Sequence, residues 1–300
     1  MKFKTKNFNL DEEVVDFGIT DPITLKVKQF YEVYPFPNYK FDDNKHTLTQ
    51  IGDKNFFSKE LKNFIGFNKS ILEVGSGTSQ LSNYLAIGTN NRISAFDTSM
   101  KSLKIGNSFA KKNNIQNVSF IRGDIFDEIF KEEIFDFVLC NGVLHHTKNP
   151  SLAFSNIAKC LKKDGYILVG LYNKIGRFRT KFRKFLYKIL GRKIIMFMDP
   201  VLRKIDKKSK DRIEAWIRDQ YEHPVESMHT FDEVLNWFDH NNIEFIDSIP
   251  QCSLFNDIEK RFFEKSSKET YIERILQQFF MILNKFGSEG GLFIFIGKRK

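Results

Sequence analysis

Two glycines follow an acidic residue at the end of a short apolar run, and this arrangement carries the clearest chemical signal in the chain. Glu73 is followed after one residue by Gly75, Ser76 and Gly77. Glycine has no Cβ, so a turn built in this way lets the backbone approach a small ligand closely. The pattern is typical of sites for nucleotides and related molecules, and it predicts a ligand site at this turn.

Further acidic and polar residues follow at intervals that suit the rest of a nucleoside. Asp97 lies 20 residues after Gly77, where an acid can reach the two hydroxyls of a ribose. Asp124 follows a later apolar run, where a carboxylate can hold an adenine amino group. Asn141 ends another apolar run and begins a loop that continues to His146.

Three residues near that loop are candidates for acid–base chemistry. His145 and His146 are adjacent, so their side chains point in different directions and at most one is expected to face a reacting group. The alternative is that one of them contacts the ligand or caps the next helix. Tyr172 follows the next predicted strand and is a third candidate, with packing as its alternative role.

Two other segments combine aromatic and polar residues and are candidates for contact with a second ligand. Tyr34 and Tyr39 flank two prolines, which would present aromatic rings on a rigid segment. Such rings also suit a cationic group, although they could instead form an apolar plug on the sheet. Tyr221 and His223 lie in a segment with two acids, for which a solvated turn is the alternative.

The elements that must position these residues alternate along the chain. Apolar runs predict strands at 70–74, 92–96, 118–122, 135–140, 166–171, 243–249 and 291–297. Amphipathic patterns predict helices at 23–33, 56–64, 79–86, 99–113, 151–161 and 230–239, with a turn of helix within 125–130 and an irregular leader at 1–21. Strands that alternate with helices indicate a parallel sheet covered on both faces.

Composition limits the remaining possibilities. The chain has 300 residues, of which 41% are hydrophobic, and three widely spaced cysteines without metal-ligand spacing. We therefore expect a folded core, reduced thiols and no metal site. No apolar run reaches about 18 residues, the length needed to span a bilayer. A cytoplasmic protein is predicted, with peripheral membrane contact as an option.

The positive charge is concentrated in one segment. The net charge is +10, and residues 173–212 contain 15 Lys and Arg but only 3 Asp and Glu. Apolar and basic residues alternate there in a way that predicts amphipathic helices. Three interpretations remain open for 174–212: a lid with a solvated basic face, a helix on an anionic membrane, or a surface for RNA. The last is disfavoured because no RNA-binding module is recognisable.

The order and spacing of these motifs resemble those of the class I S-adenosylmethionine-dependent methyltransferases, in particular their small-molecule branch. The motifs are the 75–77 turn, Asp97, Asp124 and the 141–146 loop. The resemblance covers roughly residues 68–172. It implies an α/β, Rossmann-like sheet of seven mostly parallel strands with helices on both faces. The last strand would be antiparallel, and a helical insertion would follow the fifth strand.

The resemblance also implies a cofactor, S-adenosylmethionine, and its product, S-adenosylhomocysteine. The residues that would bind it are Glu73, Gly75, Ser76, Gly77, Asp97, Thr98, Asp124, Ile125 and Asn141. Ser79 departs from the family pattern, in which a third glycine is frequent at this point. A dinucleotide oxidoreductase is the nearest alternative, but its third glycine would fall on Gln80.

These inferences divide the chain into an N-terminal helical and aromatic cap at 1–66 and a methyltransferase domain at 67–300, with a basic helical lid at 173–226. The predicted reaction is methyl transfer to a small-molecule or lipid-like acceptor. The alternatives are an RNA or protein methyltransferase and a scaffold that binds S-adenosylmethionine without turnover. Nothing in the sequence indicates an oligomeric state.

Overall fold

A mixed sheet of nine strands forms the centre of the protein. The computed structural model describes residues 2–4, 8–33, 35–206, 209–252, 263–283 and 291–300, with all side chains except those at 211, 212 and 219. The strands are β1 (Asn9–Asp11), β2 (Val14–Asp16), β3 (Ser70–Val74), β4 (Arg92–Asp97), β5 (Val118–Arg122), β6 (Phe135–Asn141), β7 (Leu161–Tyr172), β8 (Ile243–Ile249) and β9 (Leu292–Arg299).

Eleven α-helices are present within the described ranges. They are α1 (Pro22–Val33), α2 (Lys45–Lys54), α3 (Phe56–Ile65), α4 (Gln80–Ala86), α5 (Met100–Lys112), α6 (Pro150–Lys159), α7 (Phe178–Leu190), α8 (Arg192–Met198), α9 (Lys210–Ile217), α10 (Phe231–His240) and α11 (Tyr271–Leu283). Short 3₁₀ turns lie at Ile125–Asp127 and Leu144–His146, and a π-helical turn lies at Arg218–Glu222. None of the helices in the described ranges is long and apolar enough to cross a bilayer.

The strand order is β1-β2-β5-β4-β3-β6-β7-β9-β8. Strands β3 to β7 are parallel to one another, and β9 lies antiparallel between β7 and β8. The predicted Rossmann-like fold and its antiparallel last strand are therefore confirmed. The predicted count of seven is too low, because β1 and β2 form a hairpin that adds to the edge of the sheet beside β5.

Side chains of each central strand alternate between two apolar cores, one on each face of the sheet. Leu72 and Val74 of β3 lie in one core with Phe154 of α6, whereas Ile71 lies in the other with Leu85 of α4. Alternation with a period of two is the pattern expected of strands covered on both faces. The carboxyl ends of β3 to β6 consequently meet at one edge, where their following loops converge.

Several element predictions need correction. The irregular leader predicted at 1–21 contains the β1–β2 hairpin, and Phe3 is buried in the main core. Helices α2 and α11 were missed, and β7 starts at Leu161 rather than at 166. The predicted cap before α10 is present, since the Thr230 hydroxyl accepts a hydrogen bond from the N–H of Glu233.

The chain between β7 and α10 contains the helices α7, α8 and α9. Part of this segment has a small apolar core of its own, which consists of Ile195, Leu202, Ile213, Ile217 and Tyr221. It returns to the sheet through an isolated parallel bridge between Asn173 and His229. The segment therefore leaves and rejoins the sheet beside the carboxyl end of β7.

Candidate active site

The turn between β3 and α4 can be built only with glycine at two of its positions. Gly75 and Gly77 have φ angles of 68° and 52°, in the region that other residues rarely adopt. A Cβ on Gly75 would lie 2.2 Å from a methyl group of Val143, and one on Gly77 would lie 2.2 Å from the Phe36 carbonyl oxygen. The turn is thus packed closely against the loop after β6 and against the N-terminal segment.

Asp97 holds this turn against the end of β4. One carboxyl oxygen accepts a hydrogen bond from the N–H of Gly77 at 2.8 Å, and the other accepts from the N–H of Ser99 at 2.8 Å. Burial raises the pKa of Asp97 despite these hydrogen bonds. A carboxylate oxygen can accept more than one hydrogen bond, so each oxygen can also accept one from a ligand hydroxyl.

Glu73 lies beneath the turn and is 9% exposed. Its carboxyl group accepts a hydrogen bond from the Ser82 hydroxyl, on α4. Burial is the largest influence on this group and raises the pKa of Glu73 to about 7. The carboxyl group is therefore poised to change its charge near neutral pH, which is unusual for a glutamate.

Asp124 has an unsatisfied acceptor. One of its oxygens caps the following 3₁₀ turn by accepting a hydrogen bond from the N–H of Phe126 at 3.0 Å. The other oxygen, Oδ2, is buried and has no hydrogen-bond partner among the described residues. Leaving a buried polar atom unpaired costs about 1–3 kcal/mol, so a ligand that donated a hydrogen bond here would recover that energy.

A cavity of about 380 Å³ lies where these residues meet, and we call it the smaller cavity. All nine residues that the resemblance assigned to the cofactor line it: Glu73, Gly75, Ser76, Gly77, Asp97, Thr98, Asp124, Ile125 and Asn141. Its other wall comes from α1 and the segment after it, through Ile23, Thr24, Val27, Tyr31, Phe36 and Pro37. The sequence patterns did not identify Ile23, Thr24 and Val27 of α1, which lie on a short helix that also fits ordinary packing.

His146 is the candidate base that faces the smaller cavity. Its Nδ1 donates a hydrogen bond to the carbonyl oxygen of Val225 at 2.7 Å, so Nε2 carries the lone pair of the neutral ring. Burial lowers the pKa of His146 to about 4. The ring of His223 stacks against it, with 3.6 Å between the ring centroids. Burial keeps His146 neutral, and the hydrogen bond to Val225 fixes its tautomer.

The other two catalytic candidates have different surroundings. Tyr172 also lines the smaller cavity, and its hydroxyl accepts a hydrogen bond from the Gln220 side chain at 3.0 Å. His145 is completely buried, lines neither this cavity nor the larger one described below, and has no partner for either ring nitrogen among the described residues. Burial holds its pKa well below the usual range, so its environment is that of a packed neutral ring.

Of the four residues predicted to contact a second ligand, Tyr39 lines the larger cavity described below, whereas Tyr221 and His223 line neither cavity. Tyr34 lies outside the described residues. Tyr39 stacks on Phe109, with 4.2 Å between ring centroids. Tyr221 is buried and donates its hydroxyl to Asp199 at 2.6 Å. His223 is buried against His146, so its place is behind the candidate base rather than in either cavity.

Arg177 is a buried residue that the sequence patterns did not distinguish from its basic neighbours. Its side chain is completely buried and lies 3.0 Å from a Glu226 oxygen and 3.1 Å from the Gln220 side-chain oxygen. The guanidinium carbon lies 3.4 Å from the centroid of the Tyr172 ring. Arg177 therefore connects the start of the inserted segment to its end and to β7.

A second, larger cavity of about 1230 Å³ lies beside the first. Three residues line both of them, namely Phe36, Pro37 and Gln80. Its other walls come from 38–51, from the inserted segment and from α11, and its apolar lining comprises Leu48, Ile51, Pro200, Val201, Ile205, Trp216, Met281 and Ile282. Exposed Arg179 and Lys204 add positive charge to the wall.

Comparison with known proteins identifies the family and the fold. A family model described as "Methyltransferase domain" matches residues 66–235. The chain is 29% identical over 148 residues to a ribosomal protein L11 methyltransferase from Prochlorococcus marinus, covering 48% of this chain and 45% of that protein. It is 26% identical over 104 residues to a ubiquinone biosynthesis O-methyltransferase from Rickettsia akari, covering 35% and 40%. The chain thus spans less than half the length of these curated relatives.

The fold is also similar to that of solved structures. Geranyl diphosphate C-methyltransferase from Streptomyces coelicolor, solved with S-adenosylhomocysteine, superimposes with a TM-score of 0.52 over 94% of this chain and 100% of that chain, at 13% identity. The chain belongs to the methyltransferase domain family. Its domain is of the class I type that uses S-adenosylmethionine, as the sequence motifs predicted.

The described residues fit that cofactor. The turn at Gly75 and Gly77 leaves backbone exposed to the smaller cavity, as a closely approaching ligand requires. The unpaired Oδ2 of Asp124 provides an acceptor in the same wall, at the place where the resemblance puts the adenine amino group. The described residues contain no cluster of side chains that could hold a metal ion.

Proposed function

We propose that the protein transfers a methyl group from S-adenosylmethionine to a small-molecule or lipid-like acceptor bound in the larger cavity. The observation that carries this proposal is the contact between the two cavities at Phe36, Pro37 and Gln80. A volume of about 1230 Å³ with a largely apolar lining is at or above the upper end of ordinary ligand pockets. It suits an extended apolar acceptor better than a small polar one.

The donor would be held in the smaller cavity by the residues that line it. Asp97 would bind the ribose hydroxyls, Asp124 would accept from the adenine amino group, and the Gly75–Gly77 turn would lie along the methionine portion. When bound, S-adenosylmethionine supplies an electrophilic methyl group. The protein contributes position and exclusion of water, because in-line displacement at a methyl group depends mainly on alignment.

His146 would act as the base. The acceptor, if it reacts through a hydroxyl or an acidic carbon, must lose a proton, and Nε2 of His146 has the free lone pair to accept it. The low pKa of about 4 means that the ring is neutral at physiological pH, so the Nε2 lone pair is free, although the ring is a weaker base than an ordinary histidine. The carbonyl oxygen of Val225 would stabilise the imidazolium that forms.

A protein substrate is the second candidate, because one relative is named as a ribosomal protein L11 methyltransferase. The two proposals differ in where a labelled methyl group appears. The test is incubation of the purified chain with methyl-labelled S-adenosylmethionine and a cell extract, followed by separation of lipid, protein and RNA fractions. Label in the lipid or small-molecule fraction supports the proposal, whereas label in protein or RNA overturns it.

Exchange of His146 tests the role of the base. We expect His146→Gln to lower the rate of label transfer about 10²- to 10⁴-fold while calorimetric binding of S-adenosylhomocysteine is retained. His240→Gln is the matched control, because His240 is exposed on α10 and lines neither cavity. In the wild type, activity should decline only as pH falls through about 4, because protonation then removes the lone pair. A decline near pH 6.5, or an active His146→Gln variant, would contradict the assignment.

A further inference from the structure

Helix α7 presents an apolar stripe to solvent. Phe178, Phe182, Phe185 and Ile189 are between 49% and 62% exposed. Their spacing of four, three and four residues places them on one side of the helix. Leu190 and Phe197 continue the exposed apolar surface at the end of α7 and on α8. An apolar stripe on a surface helix normally faces the core, so this orientation is the reverse of the usual one.

The opposite side of α7 directs polar groups toward the protein. Thr180 is its only buried residue. Arg183 donates a hydrogen bond to the Tyr221 hydroxyl at 3.2 Å, and Lys184 lies 3.2 Å from a Glu226 oxygen. Arg177 immediately precedes the helix and is also buried. The inward contacts of α7 include these hydrogen bonds and ion pairs and the packing of Tyr187 on the small core of the inserted segment, whereas the four side chains of the stripe remain exposed.

Helix α11 has the same reversed orientation. Two of its three buried residues are glutamines, Gln277 and Gln278. The Gln278 side-chain oxygen accepts hydrogen bonds from the Asn173 side chain at 2.9 Å and from the N–H of Phe231 at 3.1 Å. The exposed side consists of Tyr271, Ile272, Leu276, Phe279, Phe280 and Leu283.

The two helices meet near the start of α7. A Cβ on Gly176 would lie 2.9 Å from the Cβ of Met281, so the chain entering α7 touches α11 directly. Thr180 of α7 and Ile282 of α11 both line the larger cavity. The exposed residues of α7, α8 and α11 together are called the apolar–basic face below, and this face borders that cavity.

Positive charge accompanies the apolar residues of α7 and α8 in this face. Residues 174–198 contain no Asp or Glu. Arg179, Lys181, Lys188 and Lys193 are exposed and form no ion pair within the described ranges. Basic residues beside exposed aromatic and aliphatic side chains are the composition of helices that lie in the headgroup region of an anionic bilayer. A second copy of this chain would instead bring two strongly positive surfaces together, which is unfavourable.

We propose that the apolar–basic face docks the protein on anionic lipid bilayers. The apolar side chains would enter the boundary between headgroups and acyl chains, and the lysines and arginines would remain among the anionic headgroups. The larger cavity would then be held next to the membrane. The proposal goes beyond methyl transfer and does not depend on it, because docking can be measured without donor or acceptor.

Co-sedimentation of the full chain with vesicles tests the proposal. The vesicles are made of phosphatidylcholine alone or with about one-third phosphatidylglycerol. We expect binding to the anionic vesicles that exceeds binding to neutral ones by at least about tenfold and weakens with added salt. Binding that is absent, or equal for the two compositions, would overturn the proposal.

Variants of exposed residues locate the surface. Two double variants should each weaken vesicle binding about tenfold or more: Phe182→Ser with Phe185→Ser, and Leu276→Ser with Phe279→Ser. An inserted phenylalanine or leucine contributes strongly to partition from water into the bilayer. Phe67→Ser is the matched control. Phe67 is 62% exposed and lies just before the amino end of β3, whereas α7 follows the carboxyl end of β7. An equal loss of binding in the control would contradict the location.

Charge variants separate lipid docking from other partners. Lys181→Gln with Lys188→Gln should weaken anionic-vesicle binding about fivefold per lysine, whereas Lys131→Gln with Lys163→Gln should have little effect. Calorimetry with S-adenosylhomocysteine should be unchanged in all these variants, which shows that they are folded. If light scattering finds a dimer that Phe182→Ser with Phe185→Ser dissociates, the face is an interface between two copies and the proposal is wrong.

Discussion

Replacing Asp124 with asparagine should weaken donor binding without loss of stability. Asparagine retains the oxygen that accepts from the N–H of Phe126, so the cap of the 3₁₀ turn remains. It replaces the unpaired Oδ2 with an NH₂ group. That group donates hydrogen bonds, and it would face the adenine amino group, which also donates. The substitution therefore removes one acceptor and adds a mismatched donor, with almost no change in volume.

The size of the effect follows from the burial of Asp124, which is 2% exposed. A hydrogen bond to a carboxylate contributes about 1.5–3 kcal/mol, which corresponds to about a 10- to 150-fold increase in Kd. The free energy of unfolding without ligand should be unchanged or slightly higher, because the wild-type oxygen is already unsatisfied in the cavity wall. Asp124→Asn is therefore expected to lower the affinity for the donor without lowering the free energy of unfolding.

Titration calorimetry with S-adenosylhomocysteine measures the affinity, and urea unfolding measures the stability. Asp127→Asn is the matched control, because Asp127 belongs to the same 3₁₀ turn but is exposed and lines neither cavity. Undiminished binding in Asp124→Asn would refute the adenine assignment. An equal loss in Asp127→Asn would show that general electrostatics, rather than a direct contact, are responsible.

Two further substitutions test the site's electrostatics. The pKa of Glu73 is about 7 in the folded protein and 4.5 in the unfolded chain. Between pH 4.5 and 7 the folded state therefore keeps a proton that the unfolded state releases. The free energy of unfolding of the wild type should fall as pH rises through this range. Glu73→Gln should therefore gain about 2–3 kcal/mol relative to the wild type between pH 5 and 8 in urea unfolding; a constant difference would contradict the burial argument. Arg177→Ala should cost about 3–5 kcal/mol, because it leaves Glu226 buried with a weaker partner, whereas Arg179→Ala should change stability by less than about 0.5 kcal/mol. Equal effects at the two arginines would show that the buried ion pair is not important for stability.

The central strands and most of the lining of the smaller cavity were predictable from sequence because local patterns determine them. Strands β3 to β7 are apolar runs buried on both faces, and each is followed by a helix or loop with a recognisable start. Gly75 and Gly77 report a backbone requirement that few other residues satisfy. The acids Asp97 and Asp124 follow strands whose carboxyl ends must meet in a parallel sheet.

The parts that could not be predicted depend on tertiary contacts. Strands β1 and β2 have three residues each, and their turn uses Glu12 and Glu13 with positive φ, which sequence rules assign to glycine or asparagine. Arg177 lies in the same basic segment as the exposed Arg179, and tertiary contacts with Glu226, Gln220 and the Tyr172 ring distinguish it. The larger cavity has walls from segments more than 200 residues apart, so no local pattern describes it.

The orientation of α7 and α11 was beyond sequence reasoning for a related reason. A helical pattern shows that one side is apolar and the other polar, but it does not show which side faces the protein. In α11 the core side contains Gln278, whose oxygen accepts two hydrogen bonds from buried groups. Those hydrogen bonds require the polar side of α11 to face the core, and such tertiary contacts cannot be read from a helical pattern.

The segment at Phe36 and Pro37 is a wall common to both cavities, and its carbonyl oxygens contact the donor-binding turn. Any displacement of this wall alters the space for both ligands at once. If an acceptor binds in the larger cavity as proposed, movement of this wall would couple the affinities of donor and acceptor, and linkage would require each ligand to change the affinity of the other by the same factor. A dissociation constant for either ligand would then have to be measured at a stated concentration of the other.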